Sequence, residues 1–383
     1  MLPRAREVWL EQSGHVGNPS SLHASGRAAR RVVEESRESI AAHLGVRPSA
    51  VVFTAGGTES DNLGVKGLFW SRHDSVGADR ILASAIEHHA VLDPVVWLEE
   101  RQGASVTWLG VDRLGRVDVG AAEAALSAPE AVALCTVMWA NNEVGTVQPV
   151  YAIAEMCRAA GVPFHTDAVQ ALGHLPLDLV SLDADAVTIS SHKIGGPFGV
   201  GALIVAPRGQ FTPVLHGGGQ EREIRSGTLD APGIAAFAVA VEHAVTTQAE
   251  RMIRLTQLRD RLVAGVLDAV PGAVLNGDPG SGPDHRLPGN VHFSFPGCEG
   301  DLLLMLLDAV GIDCSTGSAC TAGIPEPSHV LLAMGVDELL ARSSLRFSLG
   351  ESTTSADIDA VISALPGAVG RARRAGSLAS RVG

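Results

Sequence analysis

Seven short apolar runs alternate with amphipathic stretches through the first 245 residues, and this alternation limits the fold more than any other feature of the chain. The runs cover residues 50–54, 80–84, 105–109, 131–138, 163–166, 186–190 and 201–205; helical patterns over 25–44, 58–70, 91–102, 119–127 and 150–160 separate them. A strand, a helix and a further strand at this spacing form a crossover between parallel strands, and a parallel sheet is buried under helices on both faces. The expected class is therefore α/β, with a mainly parallel seven-stranded sheet. In such sheets the loops after the carboxyl ends of the strands carry the chemistry.

At 383 residues the chain exceeds what one core holds, so a second domain is expected. A long helical pattern over 231–270, heavily charged over 250–261, reads as a linker helix, and a turn-rich stretch follows at 276–288. The remainder reads as smaller and α+β: strands at 290–295, 312–315 and 344–348, helices at 300–310 and 355–374. The expected division is 12–245 for the large domain and 246–383, with 1–11, for the small one.

Composition narrows the class of partner. Hydrophobic residues make up 46% and charged residues 19%, as in a soluble globular protein. A net charge of −13 argues against nucleic acid or an anionic membrane as the main partner. There is no apolar run of about 18 residues, and Met1-Leu2-Pro3-Arg4 opens without a signal-peptide core. Five cysteines, at 135, 157, 298, 314 and 320, form no C-x-x-C pair, which suits reduced thiols in a cytoplasm and gives no metal site.

Five segments carry candidate chemistry. Phe53-Thr-Ala-Gly-Gly-Thr-Glu-Ser-Asp61 joins a strand end to a helix start; Gly56 and Gly57 allow a tight turn, Thr58 can cap the helix, and the exposed N–H groups make an anion site. In Phe164-His-Thr-Asp-Ala-Val-Gln170, Asp167 ends an apolar strand, where a carboxylate either caps the next helix or meets a cation such as a protonated pyridine nitrogen. Ala186-Val-Thr-Ile-Ser-Ser-His-Lys-Ile-Gly-Gly196 delivers Ser190, Ser191, His192 and Lys193 to one strand end. An amine beside a hydroxyl and an imidazole suits a phosphorylated aldehyde, held as a Schiff base with its phosphate bound nearby. Only two lysines occur, Lys66 and Lys193, and Lys66 sits in a helical pattern without such neighbours. The Gly-rich segment from His216 to Thr228 reads as an ordered functional loop because Arg222, Arg225 and Thr228 are interleaved with its glycines. Cys320 lies in Cys314-Ser-Thr-Gly-Ser-Ala-Cys320, flanked by Gly317 and Gly323, whereas Cys135 and Cys157 fall in apolar periodic segments and read as packing residues.

Together these segments resemble the cysteine desulfurases of the NifS/IscS group, within the class V aminotransferase-like, fold type I pyridoxal-phosphate enzymes. The resemblance runs from Gly17-Asn-Pro19 to Arg346-Phe-Ser-Leu-Gly350. The Ser-Thr-Gly-Ser-Ala-Cys motif and its long following loop resemble that group and not the SufS group, and Trp139-Ala-Asn-Asn-Glu-Val-Gly145 is similar to actinobacterial housekeeping members. It implies pyridoxal 5'-phosphate on Lys193, Asp167 against the pyridinium nitrogen, Gln170 on the phenolic oxygen, and His88 stacked on the ring and moving protons. Gly57, Thr58, Ser190 and His192 would hold the phosphate, with Asn142 beside the cofactor. Arg346 would clamp the substrate carboxylate, a task suited to guanidinium geometry, with Asn18 nearby. Thr228 corresponds to a residue that reaches the phosphate of the other subunit, which implies a homodimer.

The implied reaction converts L-cysteine to L-alanine and leaves a persulfide on Cys320 for a sulfur-acceptor protein, either an iron–sulfur scaffold or a tRNA-thiolating enzyme. A selenocysteine lyase or another class V aminotransferase-like enzyme is the alternative, and a non-catalytic scaffold on the same fold is a third reading. Relatives in the group open with a short strand and a Leu-Asp-x-x-Ala-Thr-Thr-Pro-like turn that this chain lacks, so a less stable small domain and weaker substrate closure are expected.

Overall fold

The computed structural model describes residues 1–316, 320–321, 324–325 and 327–379, with 320–321, 324–325 and 376–379 described by their backbone. Contacts divide it into two units, one of residues 1–109, 118–139 and 149–248, the other of 110–117, 140–148 and 249–383.

In the first unit the elements run α1 (Pro3–Ser13), α2 (Ala24–Leu44), β1 (Val51–Thr54), α3 (Gly57–Val76), β2 (Arg80–Ser84), α4 (His89–Gln102), β3 (Ser105–Leu109), α5 (Val119–Ala125), β4 (Val132–Thr136), α6 (Val150–Ala160), β5 (Phe164–Asp167), α7 (Leu179–Leu182), β6 (Ala186–Ser190), β7 (Gly201–Val205) and α8 (Ala231–Thr246). Their sheet has seven strands in the order β1-β7-β6-β5-β4-β2-β3. Only β7 runs against the rest, pairing antiparallel with both β1 and β6. The inner strands β4 to β7 are buried along their whole length, as the unbroken apolar runs of a sheet covered on both faces require. The edge strand β3 instead exposes Ser105 and Trp108.

The helix α3 covers the sheet centre, packing on β4, β6 and β7 and burying Leu63, Leu68 and Phe69 against Val52, Ile81 and Leu203. Its approach depends on Gly64, where a Cβ would stand 2.7 Å from His165 Cδ2. Gly64→Ala is expected to cost about 1–3 kcal/mol through overpacking, read as a lower urea midpoint at unchanged m-value.

The second unit holds α9 (Gln248–Ala269, from its second residue), β8 (Val274–Leu275), β9 (Asn290–Ser294), α10 (Gly300–Asp308), β10 (Cys320–Thr321), β11 (Ile324–Pro325), α11 (His329–Ala333), α12 (Glu338–Arg342), β12 (Ser344–Ser348) and α13 (Ser355–Ala379). A three-stranded antiparallel sheet, ordered β12-β9-β8, presents Val291, Phe293, Leu345 and Phe347 to a core completed by Leu258, Leu262, Leu303, Leu307, Leu365 and Val369. Cys320 and Thr321 pair antiparallel with Pro325 and Ile324.

Four sequence expectations are corrected. The pattern over 231–270 is two helices, because Thr247 caps α8: its N–H and its Oγ1 both donate to the His243 carbonyl. Residues 312–315 form no strand; only Ser315 makes a bridge, to Arg346. Residues 1–11 belong to the first unit, where α1 lies on α8 and the Leu2 N–H donates to the Gly195 carbonyl at 2.7 Å. Residues 110–117 and 140–148, expected in the large domain, fall in the second unit through contacts such as Thr146 with Arg286.

Candidate active site

Six parallel strands of the first unit, β1 to β6, end on the same edge of the sheet, and the residues singled out from the sequence follow four of those ends. Gly57 and Thr58 follow β1, His88 follows β2, Asp167 closes β5, and Ser190, His192 and Lys193 close or follow β6.

The start of α3 forms a cradle. Its N-cap is Gly56, not Thr58, and has no side-chain cap; Thr58 lies in the first turn and is exposed. The first-turn N–H groups and the positive end of the helix dipole therefore remain available to an anion. A Cβ on Gly57 would meet Val169 Cγ2 at 3.1 Å and Ser190 Cβ at 3.5 Å, so the helix start lies directly against the ends of β5 and β6. Ser190 Oγ and His192 Nδ1 are hydrogen-bonded at 2.9 Å, and the His192 ring stacks on Phe198. Burial and the Lys193 ammonium both lower the His192 pKa, so the imidazole is neutral and free to share a hydrogen bond.

Asp167 is buried, with its Oδ1 accepting the Val169 N–H at 2.8 Å. Burial, then the nearby Asp61 carboxylate, pushes its pKa up to about 8, while His165 and Lys193 pull the other way. A carboxyl in this state is neutral until a cation joins it. Lys193 stands in a single 3-10 turn, Ser191–Ile194, immediately after β6 and exposed. An exposed amine, a buried carboxyl awaiting a cation and a bare helix N-terminus are the donor set that pyridoxal phosphate requires, so the residues present fit that group.

His88 caps α4, its Nδ1 accepting the Ala90 N–H at 3.1 Å. With Thr58 it lines a pocket of about 370 Å3 that also includes Asn62, Asp93 and Trp97. Lys66, the other lysine, lines this pocket too, its Nζ 4.5 Å from the centroid of Trp97. Gln170 is half-buried three residues after Asp167. Asn18 is exposed in the turn before α2 and accepts the Ser20 N–H on its Oδ1 at 2.9 Å. Thr228 is exposed at the end of the Gly-rich loop, next to Arg225, which pairs with Glu59 at 2.6 Å.

In the second unit, Arg346 is half-buried on β12, and its Nη1 donates to the Asn142 carbonyl at 3.0 Å. Burial lowers its pKa and the Glu143 carboxylate opposes the shift. The buried Arg346 Nε has no hydrogen-bond partner among the described residues, which leaves a donor for an incoming carboxylate. The backbone of Arg346 exchanges two hydrogen bonds with Ser315, at the start of the Cys320 segment. At the other end of that segment, Ser328 Oγ donates to Glu143 Oε2 at 2.5 Å.

The Cys320 side chain, like Gly317 and Gly323, lies outside the described residues. Of the described cysteines, Cys135, Cys157 and Cys298 are buried. The Cys157 thiol and burial push the Cys135 pKa well up, and burial with Asp313 and Asp308 raises Cys314 to about 11, so neither is a ready nucleophile.

Sequence reasoning missed Asp61, Glu87 and His165, all fully buried beside Asp167. The signal for His165 was there: it stands two residues before Asp167 on one strand and so shares its face.

Comparison with known proteins identifies the family. The class-V aminotransferase family matches residues 4–361. The IscS-like cysteine desulfurase of Mycobacterium tuberculosis is 54% identical over 378 residues, covering 98% of this chain and 95% of that protein. The cysteine desulfurase IscS of Methanosarcina thermophila is 43% identical, covering 93% of this chain and 86% of that protein. The crystal structure of a NifS-like protein from Rickettsia africae superposes with a TM-score of 0.84 at 32% identity, covering 96% of each chain. With its sheet, its strand-end residues and these relatives in agreement, the chain belongs to the class-V aminotransferase family, in its group of IscS- and NifS-like cysteine desulfurases.

Proposed function

We propose that this chain is a cysteine desulfurase that uses pyridoxal 5'-phosphate to convert L-cysteine to L-alanine and keeps the sulfur as a persulfide on Cys320. The observation that carries the reading is Asp167: a buried carboxyl held neutral at a strand end, next to the strand that delivers the exposed Lys193. When bound, pyridoxal phosphate supplies an electron sink for negative charge at the substrate Cα.

The chain's own residues supply the rest. Lys193 would hold the group through Nζ, and its amine would be the base for the substrate Cα proton. The cradle of Gly57, Thr58, Ser190 and His192 would hold the phosphate, Asp167 the pyridinium and Gln170 the phenolic oxygen, and His88 would stack on the ring and move a proton. Asn142, whose carbonyl accepts from Arg346 and Asn290, would serve the group as well. Arg346, with Asn18, fixes the substrate carboxylate; the unpartnered Nε supports this role. Cys320 attacks the substrate Sγ as thiolate. The new S–S bond forms as the Cβ–S bond breaks, its electron pair stays with the substrate carbon, and two protonations complete alanine. The net change is L-cysteine plus the Cys320 thiol giving L-alanine plus the Cys320 persulfide. Acid–base steps of this kind are each worth about 10²–10⁴-fold.

Two copies would form the enzyme, the exposed Thr228 of each serving the phosphate of the other. The sulfur would pass to an acceptor protein for iron–sulfur assembly or tRNA thiolation in the cytoplasm. No helix among the described residues is long and apolar enough to cross a membrane, and the described residues hold no cluster of metal-ligating side chains.

A single-turnover reaction with L-cysteine, without reductant or acceptor, tests the reading. We expect one alanine per chain and the mass of one added sulfur atom on the peptide containing Cys320. Transfer of the amino group instead of release of alanine would make it an aminotransferase. Turnover of selenocysteine with none of cysteine would make it a selenocysteine lyase.

A further inference from the structure

Beneath the strand ends, the first unit buries a group of charges that the reaction above does not use. His165 and Asp167 alternate along β5, so their side chains leave the same face of the sheet, and Asp61, 1% exposed, projects from α3 onto it. Asp61 Oδ1 lies 3.5 Å from His165 Nε2 and has no hydrogen-bond partner among the described residues, while the carboxyl is hydrogen-bonded to the Thr188 side chain. The imidazole is clamped between neighbouring strands, with Nδ1 2.8 Å from Thr136 Oγ1 on β4 and Nε2 3.1 Å from Thr188 Oγ1 on β6. The glycine at 64 brings α3 close enough for this contact.

The titratable groups that bear on Asp61 and Asp167 are His165 from β5, Glu87 from the loop after β2, and Lys193 after β6. The Met138 N–H donates to Glu87, and burial raises the pKa of that carboxyl well above its ordinary range, so it is neutral. Two ionised carboxylates in so dry a region are costly unless each has its own cation. A pyridinium would answer Asp167. Asp61 has the Thr188 hydroxyl as a hydrogen-bond partner and His165 as its ionisable neighbour, and the acid and the imidazole can be satisfied together by one proton, on either partner. Burial supports this: it lifts Asp61 to about 7 and lowers His165 to about 4.

We propose that Asp61 is a positioning residue for the pyridine nitrogen of the bound cofactor, acting through Asp167: the Asp61–His165 pair shares one proton, and losing it adds a buried negative charge that keeps in place the proton between Asp167 and the pyridine nitrogen. The inference rests on the cofactor site assigned above. The direction follows from the charges. While the pair keeps its proton it is neutral and leaves Asp167 as it would be beside an asparagine. Once the proton is lost, the extra charge raises the proton affinity of Asp167 and of the nitrogen it faces alike, so the proton between them is kept.

Asp61→Asn keeps the shape and removes the charge. Equilibrium binding of pyridoxal phosphate by the two proteins is expected to agree within a factor of two or so near pH 6, and the variant to bind about tenfold more weakly near pH 8, the equivalent of about one pKa unit at the pyridine nitrogen. In the wild-type holoenzyme loaded with 15N-labelled cofactor, the pyridine nitrogen resonance is expected to inflect near neutrality. Equal weakening at both pH values would reduce Asp61 to a packing role and overturn the proposal, as would no weakening near pH 8. Should the variant not fold, a wild-type resonance that is flat through neutrality overturns it alone. A wild-type protein that binds no cofactor at either pH would instead sink the assignment of the site.

Discussion

Lys193→Ala is expected to give a folded protein that shows no visible absorption band after incubation with pyridoxal phosphate and releases no alanine from L-cysteine. The loss in kcat should exceed the ~10²–10⁴-fold that goes with removing one acid–base group, since the covalent tether disappears as well. Stability should hardly change, because the side chain is exposed and its backbone belongs to a turn fixed by Ser191 and Gly196. Lys66→Ala is the matched control, and a demanding one, since Lys66 shares a pocket with His88 and Thr58. Its ammonium is engaged by the Trp97 face and it sits two turns into α3, away from the ends of β5 and β6. The Lys66 variant should keep the band. A Lys193→Ala protein that stays coloured, or a colourless Lys66→Ala protein, would move the chemistry to the other lysine.

The seven strands and the strand-end positions of most candidate residues were legible because both rest on local signals. Unbroken β-branched runs such as Ala186–Ser190 can only be inner strands of a covered sheet, and polar residues that follow such runs must emerge at its edge. Lys193 was legible through scarcity, being one of two lysines. What escaped the sequence depends on partners distant in the chain. Asp61 reads as an ordinary helix residue until α3 is laid on β5. The cap of α3 shifted from Thr58 to Gly56 because Gly56, at φ 137°, makes a turn that a side chain disfavours. The helix expected over 231–270 broke at Thr247 through side-chain bonds of hydroxyls to carbonyls of the preceding turn, a competition that periodicity does not record. Residues 140–148 look like a loop of the large domain, yet Asn290 and Arg346, some 150 to 200 positions later, bind their carbonyls.

The largest effect on folding is expected from a pair that no motif announced. Arg37 on α2 and Glu221 in the Gly-rich loop are both buried, and the guanidinium meets both carboxylate oxygens, at 2.6 and 2.8 Å. The same two groups serve the edge strand β1: Arg37 donates to the Val51 carbonyl, and Glu221 accepts the Phe53 N–H at 2.7 Å. They thereby satisfy the outer polar groups of a sheet edge that would otherwise be open to pairing. The carboxylate also anchors Glu221, Arg222 and Glu223, three successive residues at φ 47°, 57° and 64°, a left-handed run that costs about 1–2 kcal/mol per residue without an anchor. Arg37→Met leaves the Glu221 carboxylate buried without its guanidinium partner, so unfolding free energy should fall by about 3–5 kcal/mol, measured by urea titration. Arg37→Lys should restore only part, since an ammonium cannot match two oxygens at once. Combining Arg37→Met with Glu221→Gln should be less harmful than the two losses added, because the second change removes the stranded charge. Strict additivity would show that the pair is a bystander to the fold of this loop. Since Thr228 closes the same loop, the Met variant should also bind pyridoxal phosphate more weakly if a second copy receives that threonine, and the deficit should shrink as the protein concentration is raised.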